Sequence, residues 1–403
     1  MAAYHFFAVC PRTLEPILAQ ELQSLGAQNI KVNAGGVLFE GPLSLAMNVC
    51  LRSRYASRIL LRIATRQYYD SHDIYDMAHV LPWERFFDVD AKIRVDITAH
   101  RSPLESLDFT TLRIKDGICD RFREGCGKRP SIEKNNPDVR IHAFINERYC
   151  TFYLNLSGEP LFKRGWRVEK GEAPLKENMA AGLLALSGWT PDQPLLDPFC
   201  GSGTIAIEAA QIACNMAPGL NRSFAFEKLN IFDLQEWQEM KEDAKAEINL
   251  HAPVQIRGSD ISSIVVSKAQ ANAQRAGLQA LLDDGRLVLT QGDARQVSAF
   301  SDKGFIVTNP PYGEQSNPKS ATVASMMKNV ADNLKKSFSG WTAWMLTSDR
   351  KLPSQMRLSE SRKIVIFNGP LECRFFKFEM VKGSFRNKKS GLRNRLTKNE
   401  HFR

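Results

Sequence analysis

The sequence predicts an α/β protein in which a doubly wound parallel sheet fills the C-terminal half and a smaller α+β region precedes it. Three observations predict it. From residue 173 to 382 short apolar runs alternate with helix-length amphipathic segments. A glycine turn, Gly201-Ser202-Gly203, joins one such run to a helix. Every polar residue with chemical promise in that half falls just past the end of an apolar run, where open α/β sheets bind ligands.

In chain order, residues 1–51 read as a strand at 5–9, a helix at 14–25, strands at 30–33 and 37–40, and a helix from Leu43. The first helix repeats Leu14, Ile17, Leu18, Leu22 and Leu25 near a 3.6-residue period, and Gly26 stops it. Gly35-Gly36 reads as a hairpin turn. Residues 52–157 form a second α+β unit, with a strand at 93–98, a helix at 108–123, and strands at 141–145 and 151–156. Residues 158–172, punctuated by Gly158, Pro160, Gly165 and Gly171, read as a linker. The domain at 173–382 then offers strands at 194–197, 255–258, 286–290, 305–308, 342–347 and 363–367. Its helices are expected at 177–187, 204–213, 234–249, 262–276 and 323–337.

Composition narrows the class. A chain of 403 residues, 43% hydrophobic, is too long for one ordinary core. No apolar run approaches a membrane span and the N-terminus lacks the pattern of an export signal, which implies a cytoplasmic protein with no membrane partner. None of the eight cysteines has C-x-x-C spacing, so no metal site is expected; buried small hydrophobes are the better reading. The net charge is +10, and much of it sits at 383–403, where seven basic residues face only Glu400. That tail predicts no fold of its own, and its clustered charge suits phosphate contact through counterion release.

The first motif is Asp197-Pro198-Phe199-Cys200-Gly201-Ser202-Gly203-Thr204, leading into the helix IAIEAAQIA. Gly201 and Gly203 allow a sharp turn and close ligand approach, and the helix N-terminus faces that ligand. Gly201, Gly203 and Ala206 also satisfy the loose dinucleotide pattern, which keeps an NAD dehydrogenase in play. Against it, Asp197 would repel a pyrophosphate but attract the ammonium or sulfonium of S-adenosyl-L-methionine. The next strand-end acid, Asp260, also lies far beyond the ~20 residues expected of a dinucleotide site. Asp260 has the position of a ribose ligand, and Asp293 that of an acceptor for an adenine amino group.

The second motif is Asn309-Pro310-Pro311-Tyr312 after the apolar strand FIVT. An exocyclic amine conjugated to a base ring is a poor nucleophile because its lone pair is delocalised. The Asn309 amide oxygen and the Pro310 carbonyl can accept bonds from both of its N–H groups and turn the lone pair toward a methyl donor, while Tyr312 offers a flat face to the base. No strong base is required, and catalysis rests on alignment and electrostatics.

These strings, with Gly292-Asp293-Ala294, resemble the Rossmann-like amino-methyltransferases that act on nucleic-acid bases. The preceding regions are similar to the ferredoxin-like segment and THUMP domain of RNA-modifying enzymes. The combination resembles bacterial THUMP methyltransferases, often labelled N6-adenine-specific DNA methylases, whose characterised relatives make N2-methylguanine in 23S ribosomal RNA. The resemblance covers roughly residues 1–382 and includes Leu161-Phe162-Lys163-Arg164-Gly165-Trp166-Arg167. It implies that Asp197, Pro198, Gly201, Gly203 and Thr204 hold the methionine part of the cofactor, Asp260 the ribose, and Asp293 with Ala294 the adenine. It also implies that residues 174–177, Lys176 among them, close over the cofactor, and that Asn309 through Tyr312 hold the target amine. The THUMP region would grip RNA, 23S ribosomal RNA in this family, through Arg113, Lys115 and Arg121; a solvated helix face is the competing reading of those three.

Two further readings stay open. Asn-Pro-Pro-Tyr serves adenine N6 as well as guanine N2, since both are conjugated amines reached by base flipping, so a DNA adenine methyltransferase is an alternative. The chain shows no helix-turn-helix or zinc module for reading duplex DNA. The other is a non-catalytic RNA-binding THUMP protein, against which the two intact motifs speak.

Overall fold

A computed structural model of the chain describes residues 3–168, 175–311 and 320–381, with 320–322 as backbone only. Tyr312, residues 169–174 and the tail at 383–403 lie outside the described residues. The chain divides into two compact units: residues 1–165 with 216–248, and residues 166–215 with 249–403.

The first unit is built on β1 (Tyr4–Val9), α1 (Glu15–Ser24), β2 (Gln28–Asn33), β3 (Gly36–Gly41), α2 (Leu43–Arg52) and β4 (Arg58–Gln67). It continues with α3 (Ser71–Val80), β5 (Lys92–Ala99), α4 (Leu107–Cys126), β6 (Ser131–Ile132), β7 (Val139–Ile145) and β8 (Tyr149–Asn155). The two α+β regions expected from sequence share one eight-stranded sheet, ordered β2-β3-β1-β4-β8-β7-β5-β6. The splice is β4, which pairs antiparallel with β1 on one side and β8 on the other. Its sequence, RILLRIATRQ, hides it: Arg58, Arg62 and Arg66 interrupt the apolar run, and a bulge between Arg62 and Ala64 breaks the two-residue alternation. Helix α3 was equally unannounced, although Asp70 and Asp73 form a capping box at its start.

Residues 158–165 are not a free tether. Leu161 and Arg164 are buried, and the guanidinium of Arg222 donates to the carbonyls of Ser157, Glu159, Pro160 and Lys163. Arg222 belongs to 216–248, which carries the seventh helix in chain order, α7 (Leu234–Ala246). The stretch packs with the first unit: Arg52 grips Glu247 through two bonds of 2.6 and 2.9 Å, and the Phe226 N–H donates to the Leu156 carbonyl. Periodicity located the helix but carries no information about which core its Trp237 face enters.

The second unit comprises α5 (Glu177–Ser187), β9 (Leu195–Asp197), α6 (Thr204–Ala213), β10 (Ile256–Asp260), α8 (Ser263–Arg275), α9 (Gln279–Asp283) and β11 (Leu287–Gln291). It closes with β12 (Gly304–Thr308), α10 (Ser320–Ser337), β13 (Trp341–Thr347), α11 (Leu352–Met356), β14 (Arg362–Asn368) and β15 (Leu371–Glu379). The sheet order is β11-β10-β9-β12-β13-β15-β14. The first five strands are parallel, and β15 runs antiparallel to both neighbours. Strand β15 was not expected, yet Asn368-Gly369, with Gly369 at φ 64°, is a hairpin signal that could have found it. Leu196, Ile306, Leu334, Phe338, Trp341 and Met345 form the core beneath α10. The chain winds outward from β9 to β11 and then returns to the other side of β9, so the topological switch point lies between β9 and β12.

Candidate cofactor and methyl-acceptor site

The glycine turn forms because β9 ends and α6 begins within a few residues. Gly201 and Gly203 adopt φ of 52° and 86°, a region that side-chain-bearing residues avoid. Gly203 also caps α6, and a Cβ there would lie 3.1 Å from that of Ala269. A Cβ at Gly201 would meet nothing within 4 Å, so that side of the turn is open to a ligand. The Cys200 N–H donates to the Ser259 carbonyl at 2.9 Å, tying the turn to β10. Pro198 is buried, and Thr204, also buried, begins α6.

Two acids meet over this turn. Asp197 is 1% exposed; its Oδ1 accepts from the Phe199 N–H and the Thr308 hydroxyl. Burial pushes its pKa up to about 7, and Asp260 adds to the rise while the two bonds oppose it. Asp260 accepts from the Gly201 N–H at 3.2 Å through Oδ2 and from the Ser262 N–H through Oδ1. It is Ser262, not Asp260, that caps α8. A buried carboxylate kept near half-protonation, beside a second acid and an open glycine face, is suited to a cationic ligand with neighbouring hydroxyls.

The same bond brings the second motif to the first. Thr308 ends β12, is wholly buried, and its hydroxyl donates to Asp197 at 2.6 Å across the switch point. Asn309 and Pro310 follow directly, half-buried and buried, with Pro311 exposed. Two motifs 111 residues apart in sequence are thus joined by one hydrogen bond.

Arg167 is a part of this site to which sequence reasoning assigned no role. Its guanidinium donates to Glu177 at 2.9 Å, to the Thr204 hydroxyl at 2.7 Å and to the Leu175 carbonyl at 3.2 Å. Both members of the Arg167–Glu177 pair are largely buried. The latch holds residues 175–177 against the start of α6 and so places exposed Lys176 at the edge of the site. Its position in the Arg164-Gly165-Trp166-Arg167 string was visible, but its partners come from two other elements.

Other expected residues stand differently. Asp293 is engaged by the Arg295 guanidinium, which holds its pKa below the usual carboxylate range, and Ala294 is buried in the core beneath α10. Arg113 lies over the Tyr75 ring at 4.3 Å and contacts His72, Lys115 pairs with Asp116, and Arg121 pairs with Glu84. Each of these three expected cations is thus held by a neighbour. Of the eight thiols, all free, only Cys126 is exposed; burial pushes Cys10, Cys50 and Cys150 up to about 12, which leaves those three inert.

A sheet of this order, with acids and a glycine turn at its switch point, defines the Rossmann-like methyltransferase class of fold. Family models agree, matching an RlmL ferredoxin-like domain at residues 5–60, a THUMP domain at 68–155 and the RMKL-like methyltransferase domain at 164–377. The last covers more than half of the chain, which belongs to that RMKL-like family. The ribosomal RNA large subunit methyltransferase K/L of Aeromonas hydrophila is 37% identical over 98% of this chain, and the chain spans 57% of that relative's length. Among solved structures, a protein described as of the methyltransferase kind and complexed with S-adenosylhomocysteine has a TM-score of 0.85 at 27% identity, covering 95% of this chain and 100% of that one. A protein from Listeria monocytogenes described as an N6-adenine-specific DNA methylase has a TM-score of 0.84 at 29% identity, covering 94% and 96%.

Proposed function

We propose that this chain transfers a methyl group from S-adenosyl-L-methionine to an exocyclic amine of an RNA base, guanine N2 in 23S ribosomal RNA. The observation that carries the proposal is the Thr308–Asp197 hydrogen bond, which seats the amine-binding motif beside the cofactor turn. In this reading Asp197 faces the cationic methionine part of the cofactor, Asp260 the ribose hydroxyls, and the open side of Gly201 admits the ligand's backbone approach. The cofactor supplies an electrophilic methyl group. Asn309 and the Pro310 carbonyl accept both N–H bonds of the flipped base's amine and aim its lone pair. The amine becomes acidic as the new bond forms, so solvent can take the proton.

The THUMP match and the ribosomal name of the Aeromonas relative support RNA, while the Listeria name points to adenine in DNA. Tritium transfer from labelled cofactor to ribosomal RNA and to duplex DNA separates the two readings. Wild type should label RNA, and Asn309→Ala should lower that rate by about a hundredfold or more while still binding S-adenosylhomocysteine. Equal labelling by wild type and variant would end the catalytic assignment. Labelling of DNA alone would move the substrate to the alternative.

A further inference from the structure

The strand tips of the second unit change sign across the sheet. On one side of the switch point, β11, β10 and β9 deliver Asp293, Asp260 and Asp197 in turn, with Arg295 covering the first of them. Asn309 follows β12 at the switch point itself. Beyond it the tips carry cations. Strand β13 ends at Thr347, and Arg350 and Lys351 follow shortly after. Strand β15 is antiparallel, so it begins at the edge where the parallel strands end, and it brings Arg374 there in register with Thr347. Thr308 pairs with Met345 on β13, which sets Arg374 two strand spacings, about 10 Å, from the Asn309 end of β12.

These cations are built into a network. One oxygen, Oε1 of Glu372, accepts from the Arg350 guanidinium at 2.6 Å and from that of Arg374 at 2.7 Å. The Arg374 bond first, and then the charges of both arginines, hold the Glu372 carboxyl below the usual carboxylate range. The other carboxylate nearby, Asp349, accepts from the Lys351 N–H and from the Gln355 side-chain amide, both at 2.7 Å. The side chain of Arg374 is 15% exposed and also donates to the Cys373 carbonyl. That of Arg350 is 70% exposed and gives Glu372 a single bond, so most of its donor fork faces water. A largely buried arginine and a shared carboxylate thus hold an exposed arginine in place.

We propose that Arg350, positioned by Glu372 and Arg374, binds the backbone phosphate beside the nucleotide whose amine enters the Asn309–Pro310 site. The proposal rests on the RNA reading above and adds the part of the substrate that lies outside the base. A base turned out of its stack brings its own backbone with it, and that polyanion has to lie along this edge. Asp197 and Asp260 repel it on the cofactor side. On the other side a guanidinium fork matches phosphate oxygens in geometry as well as in charge. Such a contact fixes register and reads no sequence. A free phosphate ion gains less here, because Glu372 opposes it and no seated base holds it near.

The test is tritium transfer by the full chain to ribosomal RNA over a range of salt concentrations, with S-adenosylhomocysteine titration and thermal unfolding of each variant alongside. Arg350→Gln should raise the KM for RNA roughly tenfold, leave cofactor affinity unchanged, and lower the dependence of log KM on log salt by about one counterion. Arg350→Lys should restore the salt slope but only part of the KM. Glu372→Gln decides the matter. It releases both guanidiniums from their carboxylate, so it should lower the KM for RNA and steepen the salt slope. An ion pair that only braces β15 predicts the reverse, with both Gln variants raising the KM as the fold loosens. That result, or an Arg350→Gln protein with wild-type KM and slope, would overturn the proposal and leave the enzymatic reading standing. Competition by inorganic phosphate at constant ionic strength, lost in Arg350→Gln, would overturn it in favour of a free anion. A wild type that labels no RNA removes both the proposal and the reading beneath it.

Discussion

Replacing Asp197 by Asn should make the ligand-free protein more stable and the cofactor weaker. Asn keeps an oxygen to accept from Thr308 and Phe199, the two bonds that Asp197 makes through Oδ1, and removes only the charge. Burial raises the Asp197 pKa from 3.8 to about 7. A raised carboxylate pKa means that the folded state holds its proton more tightly than the unfolded chain. The group therefore destabilises the fold progressively as pH rises from the unfolded value to the folded one, and the penalty is complete above about pH 7. At ~1.4 kcal/mol per unit, the penalty at pH 8 is roughly 4 kcal/mol and at pH 5 roughly 2 kcal/mol. Thermal unfolding without ligand should give Asp197→Asn a higher Tm than wild type at pH 8 and a smaller advantage at pH 5, with each kcal/mol worth roughly 2–4 °C. Calorimetric titration with S-adenosylhomocysteine, which keeps the ammonium, should show the opposite: a loss of at least tenfold, because a charge pair at ~4 Å is worth ~4 kcal/mol at an effective dielectric near 20. Wild-type affinity should also fall as pH drops below about 7, since binding must release a proton. Coincident unfolding of the two proteins at pH 8 would refute the reasoning, for it would mean that the carboxylate is not held against a desolvation cost.

Arg167→Met takes the guanidinium away from the buried Glu177, Thr204 and Leu175 and should destabilise the second unit in chemical unfolding by about 2 kcal/mol or more, while Arg167→Lys keeps the charge but not the three-way reach and should raise the KM for the cofactor more than it lowers kcat. Gly203→Ala forces a Cβ into a left-handed turn at 3.1 Å from Ala269. It should lower stability by about 1–3 kcal/mol and cofactor affinity with it; Gly285→Ala, equally left-handed but with nothing nearby, isolates the backbone part of the effect.

Much of the site was legible in the chain. Short polar strings carry their own meaning when the backbone must do something unusual: two glycines at positive φ before a helix, or two prolines after an apolar strand. Acids at Asp197 and Asp260 could be placed at strand tips because edges between apolar runs and polar turns are local features. What escaped was whatever depends on partners distant in sequence. Strand β4 looks irregular because arginines interrupt its apolar run and its register slips at a bulge. The 216–248 stretch reads as part of the domain that surrounds it in sequence, yet it groups with the first unit, where Arg52 holds Glu247 and the Phe226 N–H donates to the Leu156 carbonyl. Arg113 and Arg121 could be read as RNA ligands or as a solvated helix face, because a sequence shows a charge but not the distant Tyr75 or Glu84 that covers or pairs with it.

By itself, then, the sequence determined most strands and helices of the second unit and marked the glycine turn and the Asn-Pro-Pro string as candidate site segments, since each is written in a short run of consecutive residues. Tertiary structure alone decided that Thr308 touches Asp197, that Arg167 latches the start of α6, and that two α+β regions merge into one sheet. The physical reason is that hydrogen bonds and packing act over a few ångströms of space, and only the folded chain brings residues a hundred positions apart within that range.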